Sequence, residues 1–148
     1  MIEIIIRSTV NPTENEEIIV NAMKRIFAFE QVEKSEPNSR GQYTLVASGS
    51  GPSVLHFLFN QVRRQKTVQA FHNHLIDSMN EVRNEVTFML NKQILTQGYL
   101  SLCTEPEESP LGPIFITIKA KKIADVVNYV FPETEKGQVI ESSTRPQE

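Results

Sequence analysis

Three histidines, one cysteine and a sparse set of acids are the residues on which catalysis or metal binding would have to rest. His72 and His74 stand two positions apart in a helical pattern, about 200° around the axis, so they cannot grip one ion together. His56 sits in an apolar helical stripe with no carboxylate near it in sequence. Asp occurs only at Asp77 and Asp125, and the glutamates crowd helix starts and loops. That leaves no spaced carboxylate set for a divalent metal or for paired acid–base work. Cys103 precedes Thr104-Glu105-Pro106-Glu107-Glu108, and such acids raise a thiol pKa rather than lower it. As the single cysteine it makes no intrachain disulfide, and no Cys/His pattern has zinc spacing. Gly49-Ser50-Gly51 comes before a helix, yet the Lys-Ser/Thr of a Walker loop is missing, so the segment reads as a turn. The expectation is a non-enzyme without catalytic residues, metal or cofactor.

What remains is the chemistry of binding. Residues 61–93 carry Arg63, Arg64, Lys66, Arg83 and Lys92 against Asp77, Glu81 and Glu85, a net of +2, where the flanking segments carry −2 and −3. Arg63 and Arg64 are about 100° apart on a helix, so at least one points away from the core. With Lys66 they suit the neutralisation of phosphates, and a solvated helix end is the competing reading. Asn91-Lys92-Gln93 interrupts two apolar runs with groups suited to phosphate, sugar and base edges. In Glu108-Ser109-Pro110-Leu111-Gly112-Pro113-Ile114 the two prolines restrict the backbone just before a strand. A rigid loop of this kind, with Ser109, Pro110, Gly112 and Pro113, serves packing or recognition equally. It should lie beside Asn91-Lys92-Gln93 and feed a strand paired with the run ending at Leu90 or that ending at Leu102.

The elements that must position these groups follow from periodicity. Ile2, Ile4 and Ile6 alternate with Glu3 and Arg7, and Ile5 on the second side places this strand inside a sheet. Asn11-Pro12-Thr13-Glu14 reads as a helix start, with Asn11 as N-cap, before the stripe Ile18, Ile19, Ala22, Met23, Ile26 and Phe27. Short strand-like runs at Val32 and from Tyr43 to Ala47 flank a loop with Pro37, Asn38 and Gly41. Val54, Leu55, Leu58, Phe59 and Val62 give a second helix, and Val68, Phe71, Leu75, Ile76 and Met79 a third after a bend at Thr67. Strands are expected at 86–90, 99–102 and 114–120, and a last helix over Ile123, Val126, Val127 and Val130 stops at Pro132.

This pattern predicts an α+β fold, with helices packed on one face of a mostly antiparallel sheet. Residues 1–132 form a single domain and residues 133–148 a polar mobile tail. With 148 residues, 39% hydrophobic and 22% charged, the chain has the profile of one globular domain. The net charge of −3 restricts any nucleic-acid surface to a local patch. The start lacks a signal-peptide pattern and no apolar run nears the ~20 residues of a membrane span, so a cytoplasmic location is expected.

The chain resembles an uncharacterised archaeal family of about this length, whose members are described as predicted RNA-binding or exosome-associated proteins. The resemblance covers most of residues 1–132 and rests on Asn11-Pro12-Thr13-Glu14, Arg63-Arg64-Gln65, Phe88-Met89-Leu90-Asn91-Lys92-Gln93 and the 108–114 loop, in that order. It implies a fold like that of ribosomal protein L-five and an RNA partner within RNA processing or degradation machinery. On that basis Arg63, Arg64, Lys66 and Lys92 are expected to meet phosphates, and Asn91 and Gln93 to hydrogen-bond sugar or base edges. The alternative is a protein-interaction or assembly module, a homodimer included, to which the off-stripe Phe57 points.

Overall fold

The structure is a computed structural model and describes residues 2–141. Strand β1 (Glu3–Val10) buries Ile4, Ile6 and Val10 and exposes Glu3 and Arg7, as its alternation dictates. A turn follows in which the Glu14 N–H donates to the Asn11 carbonyl at 2.9 Å. The Glu14 carboxylate accepts from the Asn11 N–H and Nδ2 at 3.0 and 2.7 Å. Helix α1 (Glu16–Ile26) therefore begins later than Asn11-Pro12 predicts, with Asn15 as the N-cap. The Asn15 side chain accepts from the Glu17 N–H at 2.9 Å. Ile19, Ala22, Met23 and Ile26 are buried, whereas Ile18 is 54% exposed. It lies about 90° from the centre of that stripe.

Strands β2 (Glu33–Lys34) and β3 (Tyr43–Ser50) come next. The expectation of a turn at Gly49 and Ser50 is corrected, because both belong to β3 and the chain turns at Gly51, where φ is 98°. Gly49 is required for another reason: a Cβ there would stand 2.5 Å from the Phe27 ring. A 3-10 turn (Pro52–Leu55) leads into α2 (His56–Arg64), and α3 (Val68–Ser78) follows the bend at Thr67.

The second half runs β4 (Glu85–Leu90), α4 (Lys92–Thr96), β5 (Leu102–Cys103), β6 (Ile114–Lys119) and α5 (Ile123–Val130). Helix α4 departs from the sequence reading: Asn91 caps it, its side chain accepting from the Ile94 N–H at 3.0 Å. Residues 99–101, expected as strand, form a loop instead. Gln65 clamps it to α2, accepting from the Leu100 N–H at 2.7 Å and donating to the Leu100 carbonyl at 2.8 Å.

The six strands are ordered β2-β3-β1-β6-β4-β5, and every pairing is antiparallel. β1 thus lies inside the sheet, and β6 lies between it and β4, the run ending at Leu90. One face buries Ile6, Leu45, Phe88 and Ile116 under the helices. At its centre Phe71 of α3 stacks on Phe131, with ring centroids 5.2 Å apart, and both meet Phe88 edge-on at 6.1 Å. On the opposite face Ile5, Val46, Met89 and Phe115 are half-buried, and the Arg7 guanidinium lies 4.8 Å from the Phe115 ring centroid. The fold is therefore α+β with a mostly antiparallel sheet.

Residues 133–141 open the stretch expected as a polar mobile tail. They form a hairpin of β7 (Thr134–Glu135) and β8 (Gln138–Val139), turned at Lys136 and Gly137, both with positive φ. Gln69 of α3 accepts from the Thr134 N–H at 2.8 Å and holds the hairpin to the body. The remainder of the expected tail, 142–148, lies outside the described residues.

Candidate functional site

The residues expected to meet RNA fall into three different environments. Lys92 is buried, and its Nζ donates to the Thr9 carbonyl at 2.7 Å, to the Leu111 carbonyl at 3.1 Å and to both Glu14 oxygens at 3.1 Å. Burial pulls its pKa below the ordinary value of 10.5, against the opposing hydrogen bond and charge of Glu14. All three donors are used inside the protein, so the expectation that Lys92 meets phosphate is corrected.

Its neighbours serve the same clasp. Ser109 is buried and its hydroxyl accepts from the Lys92 N–H at 3.0 Å and donates to the Gly112 carbonyl at 2.9 Å. Gln93 Nε2 donates to the Pro110 carbonyl at 2.8 Å, and Asn91 Nδ2 lies 3.4 Å from the Glu108 carbonyl. Leu111 and Gly112 both have positive φ, at 66° and 95°, which completes the tight turn between the prolines Pro110 and Pro113. The 108–114 loop thus sits beside Asn91-Lys92-Gln93, and the amides of Asn91 and Gln93 hold it there. Cys103, in the neighbouring β5, is buried, and burial followed by the Glu108 charge raises its thiol pKa.

Arg63 is a second internal anchor. Its Nε and Nη2 donate to Glu141 at 2.8 and 2.9 Å, and Nη1 to the Phe59 and Val130 carbonyls at 2.8 Å each. Nη2 also donates to the Tyr129 carbonyl at 3.2 Å, while the guanidinium lies 3.5 Å from the Phe59 ring centroid. All five donors are occupied, which corrects its expected phosphate role.

The Arg63 hydrogen bonds hold the Glu141 carboxyl below its ordinary 4.5. A carboxyl depressed on folding stabilises the folded chain fully above its unfolded value and loses that contribution as pH falls through the lower folded value. Between about pH 5 and about pH 3 the wild type should therefore lose more unfolding free energy than Glu141→Gln, measured by urea titration at each pH. Parallel losses would show that the pair contributes nothing.

Arg64 and Lys66 are exposed, as a basic surface requires. Arg64 does not stand alone: it lines a groove of about 430 Å³ with Lys24 and Arg25 from the last turn of α1 and with Phe57 and Asn60 along α2. No carboxylate among the described residues lines this groove. The Arg25 guanidinium is set by the turn after α4, with Nη2 3.4 Å from the Thr96 carbonyl and Nη1 so near Gly98 that a Cβ there would approach to 3.0 Å. Sequence reasoning did not single out Lys24 and Arg25, which close α1 and there match its dipole. The available signals were their position at a helix end, like that of Arg64, and the apolar Phe57 off its helix stripe.

The groove continues past Phe27, Ser53 and His56 into a larger cavity of about 850 Å³ between the α1–β2 link and the β3 edge. Phe27 and Phe29 meet there at 5.5 Å between ring centroids, tilted by 59°, and Lys24 Nζ lies 5.7 Å from the Phe29 centroid. Glu30 and Glu33 line this cavity, and no Lys or Arg among the described residues does. Among the described residues no group of three or more His, Cys, Asp or Glu side chains converges on a metal position. His72, for its part, is buried with Nδ1 2.7 Å from the Phe131 carbonyl.

A family model described as RNA binding matches residues 3–122. A UPF0201 protein from Sulfolobus acidocaldarius is 32% identical over 148 residues, which cover 100% of this chain and 99% of that one. Another from Sulfurisphaera tokodaii is 34% identical over 137 residues, covering 93% and 92%. The fold is similar to the crystal structure of the UPF0201 protein from Methanococcus jannaschii, with a TM-score of 0.79 and 24% identity over 94% of this chain and 99% of that one.

Proposed function

Because the chain belongs to the family described as RNA binding, together with the UPF0201 proteins, we propose that it binds RNA through the groove between α1 and α2. One observation carries the placement: Lys24, Arg25 and Arg64 share a groove that no carboxylate among the described residues lines, in a protein of net charge −3. Three cations gathered from two helix ends suit successive phosphates, and exposed Lys66 extends the same basic end of α2. The reading is of a binding protein rather than an enzyme, and the family description supports it. A place in RNA processing or degradation machinery and kinship with the fold of ribosomal protein L-five extend it, and rest on the resemblance of the motifs; a cytoplasmic location accords with such a role. No helix among the described residues is long and apolar enough to cross a membrane.

Filter binding of the full chain to structured and single-stranded RNA at low and moderate salt tests this reading. Binding that weakens steeply with salt is the expected result, and no retention at low salt would overturn it.

The open sheet face favours a second reading. Ile5, Val46, Met89 and Phe115 are half-exposed around Arg7, which pairs with both Val46 and Phe115, an apolar set on four strands that suits self-association or a protein partner. Light scattering in solution checks it: a strict monomer at all concentrations would count against a homodimer.

A further inference from the structure

The groove and the adjoining cavity differ in charge, and that difference decides what each can hold. Among the described residues the basic groove has three cations and no carboxylate, whereas the larger cavity has Glu30 and Glu33 and no Lys or Arg. A phosphate is stabilised in the first and repelled from the second. The larger cavity is instead lined with the rings of Phe27 and Phe29 and with serine hydroxyls, groups that stack on and hydrogen-bond to a nucleobase. Its position strengthens this fit. β2 covers β3 only at Val46 and Leu45, so the cavity lies along the stretch of β3 beyond Val46 that no described strand pairs on that side.

We infer that the protein takes single-stranded RNA, its backbone running over Lys24, Arg25 and Arg64 and one unpaired base, guanine by preference, entering the cavity beside Phe29. This rests on the RNA reading above and names its substrate class. A duplex keeps its bases stacked inside and cannot deliver one to a recess, whereas a flexible strand can splay it out. Carboxylates accept hydrogen bonds and, when ionised, donate none. The acidic lining therefore selects a base edge with adjacent N–H donors, and the N1–H and N2–H pair of guanine matches a carboxylate at both oxygens. Phe27 lies against Gly49, its ring filling the space that a Cβ there would need. Phe29 is half-exposed, free to receive a stacked base on the ring beside Lys24.

Fluorescence anisotropy with a labelled 12-nucleotide RNA tests this in three forms: a single strand with one central guanosine, the same strand with that position abasic, and the strand paired to its complement. The guanosine strand should bind at least ten-fold tighter than either of the others. Phe29→Ala should weaken it by roughly 5- to 150-fold, the range of base–aromatic stacking, and Phe29→Tyr, which keeps the ring, should bind as the wild type does. A fourth strand with uridine at that position should bind more weakly than the guanosine strand, and the double variant Glu30→Gln, Glu33→Gln should erase that difference. Equal affinity for strand and duplex, or for guanosine and abasic strands, overturns the inference and leaves RNA binding standing. If neither strand nor duplex binds, the RNA reading itself falls.

Discussion

Lys92→Met should lower the unfolding free energy by about 3–5 kcal/mol, measured by urea titration with the slope unchanged. The side chain is nearly isosteric, so the loss does not come from a cavity. It comes from what is left behind: the Glu14 carboxylate, whose side chain is 9% exposed, keeps only its bonds from Asn11, while the Leu111 and Thr9 carbonyls lose Lys92 and keep Asn11 Nδ2 at 3.0 Å and Ser8 Oγ at 3.3 Å. An uncompensated buried charge costs more than the pair contributed. Combining Lys92→Met with Glu14→Gln should therefore recover part of the loss, because the orphaned charge is gone. A loss below about 1 kcal/mol in the single variant would mean that water reaches Glu14 and that the clasp is a surface pair.

The second large effect concerns affinity. Replacing Lys24, Arg25 and Arg64 together with alanine should reduce the dependence of log K on log salt by about 2, given a slope of roughly 0.7 per phosphate on a single strand. At about 0.1 M salt that corresponds to roughly a 100-fold loss of RNA affinity. A variant with the same change of charge at Arg40, Arg83 and Lys136, all exposed and outside the groove, should keep most of the slope. If both variants lose affinity equally, the protein responds to net charge alone and the groove has no special part.

The contrast between Lys92 and Lys24 shows what a single sequence makes legible. Strand and helix identities followed from local alternation, as in Ile4 and Ile6 or in the stripe of α1, because each residue's face depends only on its neighbours. Lys92 is different: flanked by Asn91 and Gln93 it looks like a surface cation, and the acid that buries it lies 78 residues away. The same distant partner explains the misplaced helix start, since Glu14 turns toward Lys92 and Asn11 rather than joining α1. Helix α4 escaped notice because five residues hold too little periodicity to register, although its cap Asn91 was visible. Lys24 and Arg25 were present as residue types, but their meeting with Arg64 depends on how α1 packs against α2, which no local pattern states.

The Lys92 clasp also has a consequence in time. It joins residues 9, 14, 92 and 111, so it closes only after β1, the start of α4 and the 108–114 loop have all docked. Contacts that span such stretches of chain carry a high closure cost and form after local helices and hairpins. An interaction absent from the transition state slows unfolding without speeding folding. Lys92 thus acts as a latch on the finished molecule: its loss leaves the refolding rate nearly constant and lets the native state open faster.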